Sequence, residues 1–433
     1  MLSTLRRKPF ENLGSFAFVT DGEHGNPKTF PTGFAKYYGA RNTLEGILNE
    51  NDVEYITQEH HHTLRKSALK PNDILISCVG ANVGHACIVP DNVGEANIVR
   101  NVALMRSKSK LFSNHYLLAY FLCKYGKELY IRLKTGNAQP LVSLDYIKTI
   151  PVFTPSDNFQ KAIIKLVEQA KERRNNAILL FDTAIDKLMT EIGFSNWKPT
   201  SENKVVKTFS RSFKLNGRLD AEYYQLYYKE IEDKIKSYKW GYELFGKCIT
   251  LFDENFNPDD KTEYNYIELA DIGTAGNISS STFDFGNNLP SRARRLVKSK
   301  NVILSSIEGS LDKCAFITDD YSNSLCSTGF YVISSPNLLS EVLIVLFKSY
   351  PMQQLLKRGC SGTILTAISK DELIKIPVPK LREDFQSELM HDIQNSFSQR
   401  QLSNHLIHTA RQAVEIVIEQ DEQTAMKFIK ENN

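Results

Sequence analysis

The sequence predicts an α+β chain: two β-rich domains arranged as an internal repeat and joined by two long helices that pack on one another. Three observations predict it. The stretches "GNAQPLVSLDYIKTIPV" (Gly136 to Val152) and "GTILTAISKDELIKIPV" (Gly362 to Val378) are one phrase written twice, 226 positions apart. Both open on Gly, place Ser eighth (Ser143, Ser369) and Asp tenth (Asp145, Asp371), and close on Ile-Pro-Val. Each phrase then leads into a run without Pro or Gly whose apolar residues recur at steps of three and four, the period of one helix face. Finally, 433 residues exceed one typical core, and a composition of 42% hydrophobic and 24% charged residues suits a soluble globular chain.

The first β-rich domain is expected over residues 1–157. In "LKPNDILIS" (Leu69 to Ser77) a polar turn feeds an apolar run, the mark of a strand entered from a turn. The glycine-bearing "CVGANVG" and a second apolar run, "HACIVP", complete a strand pair. Residues 158–193 read as a central helix with Ile163, Leu166, Ala170, Ile178, Phe181, Ile185, Leu188 and Ile192 on one stripe, ended by Gly193. A linker, "FSNWKPTSENKVVK", covers 194–207. The second domain, 208–383, repeats the frame with a shift of two: "VKSKNVILS" (Val297 to Ser305), "SIEGSL", then "CAFIT". A C-terminal helix over 384–433 carries Phe385, Leu389, Ile393, Phe397, Leu402, Leu406, Ala410, Val414 and Val417.

A helix of about 35 residues is roughly 50 Å long. A stripe so narrow over such a length asks for another helix rather than a globular core. Ile163, Leu166, Ile178, Phe181, Ile185 and Leu188 of the first helix, with Leu389, Ile393, Leu402 and Val414 of the second, are therefore the expected pairing residues. The repeated Ser143 and Ser369, each followed by a carboxylate, read as helix N-caps.

Charge and composition narrow the functional classes. A net charge of +3 is too small for a uniformly basic nucleic-acid binder, so any polyanion must be met by local patches or with a partner's help. Seven cysteines without a C-x-x-C pair fit reduced thiols in a cytoplasmic protein; Cys78 and Cys87 sit on expected strands as core residues. No apolar run is long enough to span a bilayer, and "MLSTLRRKPFENLG" lacks the apolar stretch of a secretory signal, so no membrane is expected. The chain has no phosphate-cradling G-x-x-x-x-G-K-[ST] loop, no Asn/Asp-Pro-Pro-aromatic stretch to hold a flipped base, and no Pro-Asp followed by Glu-x-Lys for a nuclease metal. The histidines of "EHHHTLRK" (Glu59 to Lys66) read as a polar loop, since adjacent residues cannot converge on one ion and no second ligand pair lies near.

In the order of its phrases the chain resembles the specificity subunits of type I restriction-modification enzymes. "TDGEHGNP", "YYGARN" with "LEGIL", "LRKSALKPNDILISCVGANVGHACIVP" and "NAQPLVSLDYIKTIPVFTP" carry the likeness in the first half; "GRLDAEYY", "YIELADI" and "IPVPKLREDFQ" carry it in the second. The resemblance implies two target-recognition domains held by two long helices that pair antiparallel as a coiled coil, each domain reading half of a gapped, asymmetric double-stranded DNA site. It implies no catalysis and no cofactor in this chain. Companion DNA adenine methyltransferase subunits would bring S-adenosylmethionine, and an ATP-dependent restriction subunit could join through them. The second half departs from the first by a lead-in segment, "FKLNGRLDAEYYQLYYKEIEDKIKSY".

Base readout needs amides, guanidiniums and ammoniums on loops that enter a groove. In the first half the candidates are Arg41, Asn42, Asn82, His85, Asn97, Arg100, Asn101 and Gln139; in the second, "LPSRARRLVKSK" gathers Arg292, Arg294, Arg295, Lys298 and Lys300. A basic run of that kind suits phosphate contacts, which orient without specifying. Two other readings share the fold: the recognition subunit of a system that fuses methylase and nuclease in one companion chain, and a coiled-coil scaffold indifferent to DNA.

Overall fold

The computed structural model describes residues 9–25, 27–50, 53–80, 82–136, 140–200, 204–362 and 366–433. The chain divides into two compact units, Met1–Asn175 with Gln399–Asn433, and Asn176–Ser398. Each therefore contains part of both long helices, Asp157–Glu191 and Glu383–Glu419.

The first unit is built on strands β1 (Phe10–Asn12), β2 (Ala17–Asp21), β3 (Ala35–Tyr38), β4 (Gly46–Ile47), β5 (Glu54–Ile56), β6 (Ile74–Ser77), β7 (Ala86–Ile88), β8 (Ala96–Ile98), β9 (Val102–Ser107) and β10 (Pro151–Phe153). They form a five-stranded sheet, β2-β9-β6-β7-β4, a three-stranded sheet, β5-β3-β8, and the pair β1-β10. The run "ILIS" of β6 is apolar without alternation because both its faces are covered. Ile74 and Ile76 join a core with the helix Asn114–Leu122, while Leu75, between them, joins another with Tyr38, Cys87 and Leu104. Cys78 and Cys87 are buried, as the sequence implies.

The second unit repeats this plan with β11 (Tyr242–Leu244), β12 (Thr250–Phe252), β13 (Glu263–Ile267), β14 (Thr282–Phe285), β15 (Ala293–Leu296), β16 (Val302–Ser305), β17 (Cys314–Phe316), β18 (Leu325–Ser327), β19 (Phe330–Ser334), β20 (Cys360–Ser361), β21 (Ala367–Ile368) and β22 (Pro377–Pro379). Its main sheet is β12-β19-β16-β17; its second sheet is β14-β13-β18-β15; β11 pairs with β22 and β20 with β21. The parallel pair β3-β8 of the first unit recurs as β13-β18. Val302 and Leu304 of β16 again face the helix-bearing core, and Ile303 faces the second sheet.

The repeated phrases have local causes. Ser143 Oγ accepts the N–H of Tyr146, and Ser369 Oγ accepts that of Glu372, so both serines are N-caps. The repeated Phe-Gln that begins each long helix is a clamp. Gln160 accepts the N–H of Ser113 at 2.9 Å and donates to the carbonyl of Leu111. Gln386, 226 positions on, accepts from Leu339 and donates to Asn337, both at 3.1 Å. In each case the amide satisfies backbone at the start of the helix that backs the main sheet.

Within each unit the two long helices run antiparallel. In the first unit Ser403 Oγ donates to the Ala170 carbonyl at 2.7 Å; in the second, Ser396 Oγ donates to that of Ala177 at 2.6 Å. Small residues at these places let the backbones approach. Of the expected pairing residues, Ile163, Leu166, Phe181, Leu188, Leu389, Ile393 and Val414 are buried and Ile185 is partly so. Ile178 (44% exposed) and Leu402 (42%) face outward, and Ala177 and Ser403 take the buried places. The buried series 163, 170, 177, 184 keeps a seven-residue spacing, and a strict 3.6-residue reading drifts from that spacing by about 20° per heptad.

The C-terminal segment is two helices rather than the single one expected. Asp421 accepts the N–H of Thr424 at 2.8 Å and starts a new helix, Glu422–Glu431, which buries Ala425 and Ile429 in the first unit's core. Among the described residues no helix is long and apolar enough to cross a membrane.

Candidate nucleic-acid interface

In the first unit the candidate side chains lie around two adjacent turns. β3 and β8 are parallel, with Tyr38 opposite Ile98, so the turns that follow, Gly39–Thr43 and Val99–Asn101, are neighbours. Four of the predicted amides hold these turns or their surroundings. Asn42 is fully buried, accepting from the Gly39 N–H at 3.0 Å and donating to the Asn49 carbonyl at 3.2 Å. Asn101 accepts from the Ala40 N–H at 3.3 Å, and Asn82 donates to the Ala40 carbonyl at 3.5 Å. Asn97, fully buried, meets His61 Nδ1 and donates to the Leu64 carbonyl at 2.9 Å.

What the braced turns present is guanidinium. Arg41 is exposed and reaches Glu54 at 3.4 Å; Arg100 is exposed and has no partner among the described residues. His85 is half-buried, its Nδ1 lacks a hydrogen-bond partner among the described residues, and burial holds its pKa below the ordinary histidine range. Gln139 lies outside the described residues.

The "EHHH" stretch is a helix, Gln58–Thr63, capped by Thr57, where the sequence suggested a loop. Its histidines diverge. His60 Nε2 meets Glu23 at 2.6 Å, His61 is buried against Asn97 and reaches Glu95 at 2.9 Å, and His62 is exposed beside Phe34. Among the described residues no cluster of metal-ligating side chains is present.

The basic run of the second unit separates into two places. Arg292 is exposed just before β15, and its guanidinium has no hydrogen-bond or ion-pair partner among the described residues. Arg294 sits at a register shift in the β15-β18 ladder, where an extra residue re-aims the strand, and its Nε donates to the Ser291 carbonyl at 3.2 Å. Arg295 donates to the Asp253 carbonyl and to Asn255 Oδ1, the latter at 3.0 Å. Lys298 and Lys300 belong instead to a frame turn. The Lys298 N–H donates to Asn301 Oδ1 at 2.8 Å and Lys300 has φ +67°. The first unit builds the same turn from Lys70, Asn72 (φ +67°) and Asp73, with the Lys70 N–H bonded to Asp73 at 2.8 Å. Both lysines are exposed, but on scaffold rather than on the divergent surface.

The second unit also exposes aromatics, which a search for donors passes over. Phe283 and Phe285 stand on one face of edge strand β14, and Phe252 is exposed on β12. The alternating "TFDF" is the available signal. The seven cysteines are buried, and burial raises the thiol of Cys78 to about 11 and that of Cys314 to about 11, leaving no ready nucleophile among them.

No protein-family model and no curated protein matches the chain. Among solved structures, the type I restriction-modification S subunit from M. genitalium aligns over 97% of this chain and 95% of that one, at 12% identity and a TM-score of 0.36. The HsdS subunit from Thermoanaerobacter tengcongensis aligns over 95% and 97%, at 12% identity and a TM-score of 0.31. A chain from a structural study of type I restriction-modification assembly and conformational transition aligns over 98% and 97%, at 11% identity and a TM-score of 0.29.

Proposed function

We propose that this chain is the DNA-specificity subunit of a type I restriction-modification complex, with its two β-rich bodies reading the two halves of a gapped site. The observation that carries the reading is one scaffold built twice with different side chains displayed on it. The Gln160 and Gln386 clamps, the Ser143 and Ser369 caps and the parallel strand pairs recur; the residues presented beside them do not. A duplex read at two places by unlike sequences calls for that combination. The partly free guanidiniums of Arg41, Arg100 and Arg292 supply phosphate or guanine contacts, and the bulged Arg294 re-aims its strand. Chemistry falls to the companions: a methylase subunit binding S-adenosylmethionine and, where present, a restriction subunit.

The test is sequencing of adenine methylation in cells that express the chain with its companion methylase. The expected result is one gapped, bipartite motif that disappears when the chain is deleted. Methylation unchanged by deletion would leave the helices as a protein-docking scaffold and remove the specificity reading.

A further inference from the structure

The seam between the long helices is mostly apolar or small-residue, and where charge crosses it in the second unit it is paired, Lys187 reaching Asp392 at 2.7 Å. In the first unit Arg174 and Arg400 enter it together. They are equivalent positions of the repeat, 226 apart, one turn beyond the contact of Ala170 with Ser403. Their level is fixed by the preceding residues, since Arg173 Nη1 donates to Gln399 Oε1 at 3.1 Å. Arg400 is only 6% exposed and its Nε has no hydrogen-bond partner among the described residues. Among the described residues no carboxylate pairs with either guanidinium. Burial, and then the charge of Arg174, push the Arg400 pKa down to about 9; burial lowers that of Arg174.

Two desolvated like charges without a counter-charge are costly to a fold, and removal of such charges commonly stabilises it. Guanidiniums at one level of the seam also offer planar forks of donors that match a carboxylate or phosphate group. We propose that Arg174 and Arg400 form a receptor for an oxyanion that neutralises the seam. That oxyanion is either a free phosphate-class ion or the carboxylate of a companion subunit docked on the helices; the second source rests on the function proposed above. The ligand class is the same in both.

The experiment follows thermal unfolding of the full chain while inorganic phosphate replaces chloride at constant ionic strength. A saturable rise in Tm for the wild type, absent in Arg400→Met and Arg174→Met, supports a free-ion receptor. In phosphate-free buffer Arg400→Met should be at least as stable as wild type, because the long stem stays and the charge goes. If phosphate leaves the wild type unchanged, affinity for the methylase subunit is measured next. A drop of about tenfold or more in Arg400→Met, matched in Arg174→Met, supports the carboxylate source. Phosphate acting equally on wild type and both variants overturns the proposal. So does a chain indifferent to phosphate whose variants bind the methylase normally. Should Arg400→Met fail to fold, Arg174→Met, at the less buried position, decides alone. The methylation mapping reads a different quantity, so failure here leaves the specificity reading standing or falling on its own result.

Discussion

Asn42, Asn82, Asn97 and Asn101 illustrate how one side-chain chemistry serves two ends. An amide carries the same donor and acceptor whether it reads an adenine edge or closes a turn. The two uses differ only in burial and neighbours, which are set by residues far away in sequence. Here the amides brace turns, and Arg41 and Arg100 are what those turns display. The two kinds of residue should separate by experiment. Arg100→Ala should weaken DNA binding several-fold with the methylation motif kept, and should reduce the salt slope of log K by about 1, read by anisotropy titrations at several salt concentrations. Asn97→Ala should instead cost about 1–3 kcal/mol of stability in urea unfolding, because it removes the partner of the buried His61 Nδ1.

At the scale of elements, helices and caps were legible because their causes are local. A serine two residues before a carboxylate, or a stripe at steps of three and four, carries its meaning within one turn. The phase of the stripe was less legible. Ile178 is apolar and three residues before Phe181, yet Ala177 holds the seam, because the helices follow a seven-residue repeat and approach closely through small residues. Leu188→Ala should therefore cost about 2–5 kcal/mol, while Ile178→Ala should stay within about 0.5 kcal/mol, both read by urea unfolding. Arg174 and Arg400 could not be placed from sequence, since a charge in a periodic run is ordinarily assigned to solvent. A second electrostatic link is tertiary throughout: Glu232 on Leu226–Lys236 binds Arg358 of Tyr350–Gly359 at 2.7 Å. Burial pushes the Glu232 carboxyl upward, but Lys236 and Arg358 more than reverse it, and the net pKa lies below the ordinary 4.5. A lowered folded-state pKa gives stability that is fully present above 4.5 and lost as pH falls through the lowered value. Glu232→Gln should thus reduce Tm at pH 7, with the gap to wild type closing as both are acidified below 4.5 and through the lowered pKa.

For the whole molecule, the repeat is a division of labour within one gene product. Equivalent places keep the frame but change their chemistry where function allows. Lys171 is buried among Asp91, Asn72 and Glu168, whereas Phe397, 226 positions on, stacks against Phe316 at 6.2 Å. His115 with Glu168 becomes Glu341 with Gln394. If each body reads its own half-site, exchanging residues 30–110 for the matching stretch of a relative with another target should change one half of the methylated motif and leave the other untouched, as mapped by sequencing. The helix seam adds a constraint of another kind. Within the first unit Gln399 is tied to Arg173 and Ser403 to Ala170, so about one turn of one helix is matched by about one turn of the other. Extra residues placed in one turn alone would pull the other out of step. The two helices therefore store a single length in two separate parts of the gene, and an inherited change of that length requires two insertions, not one.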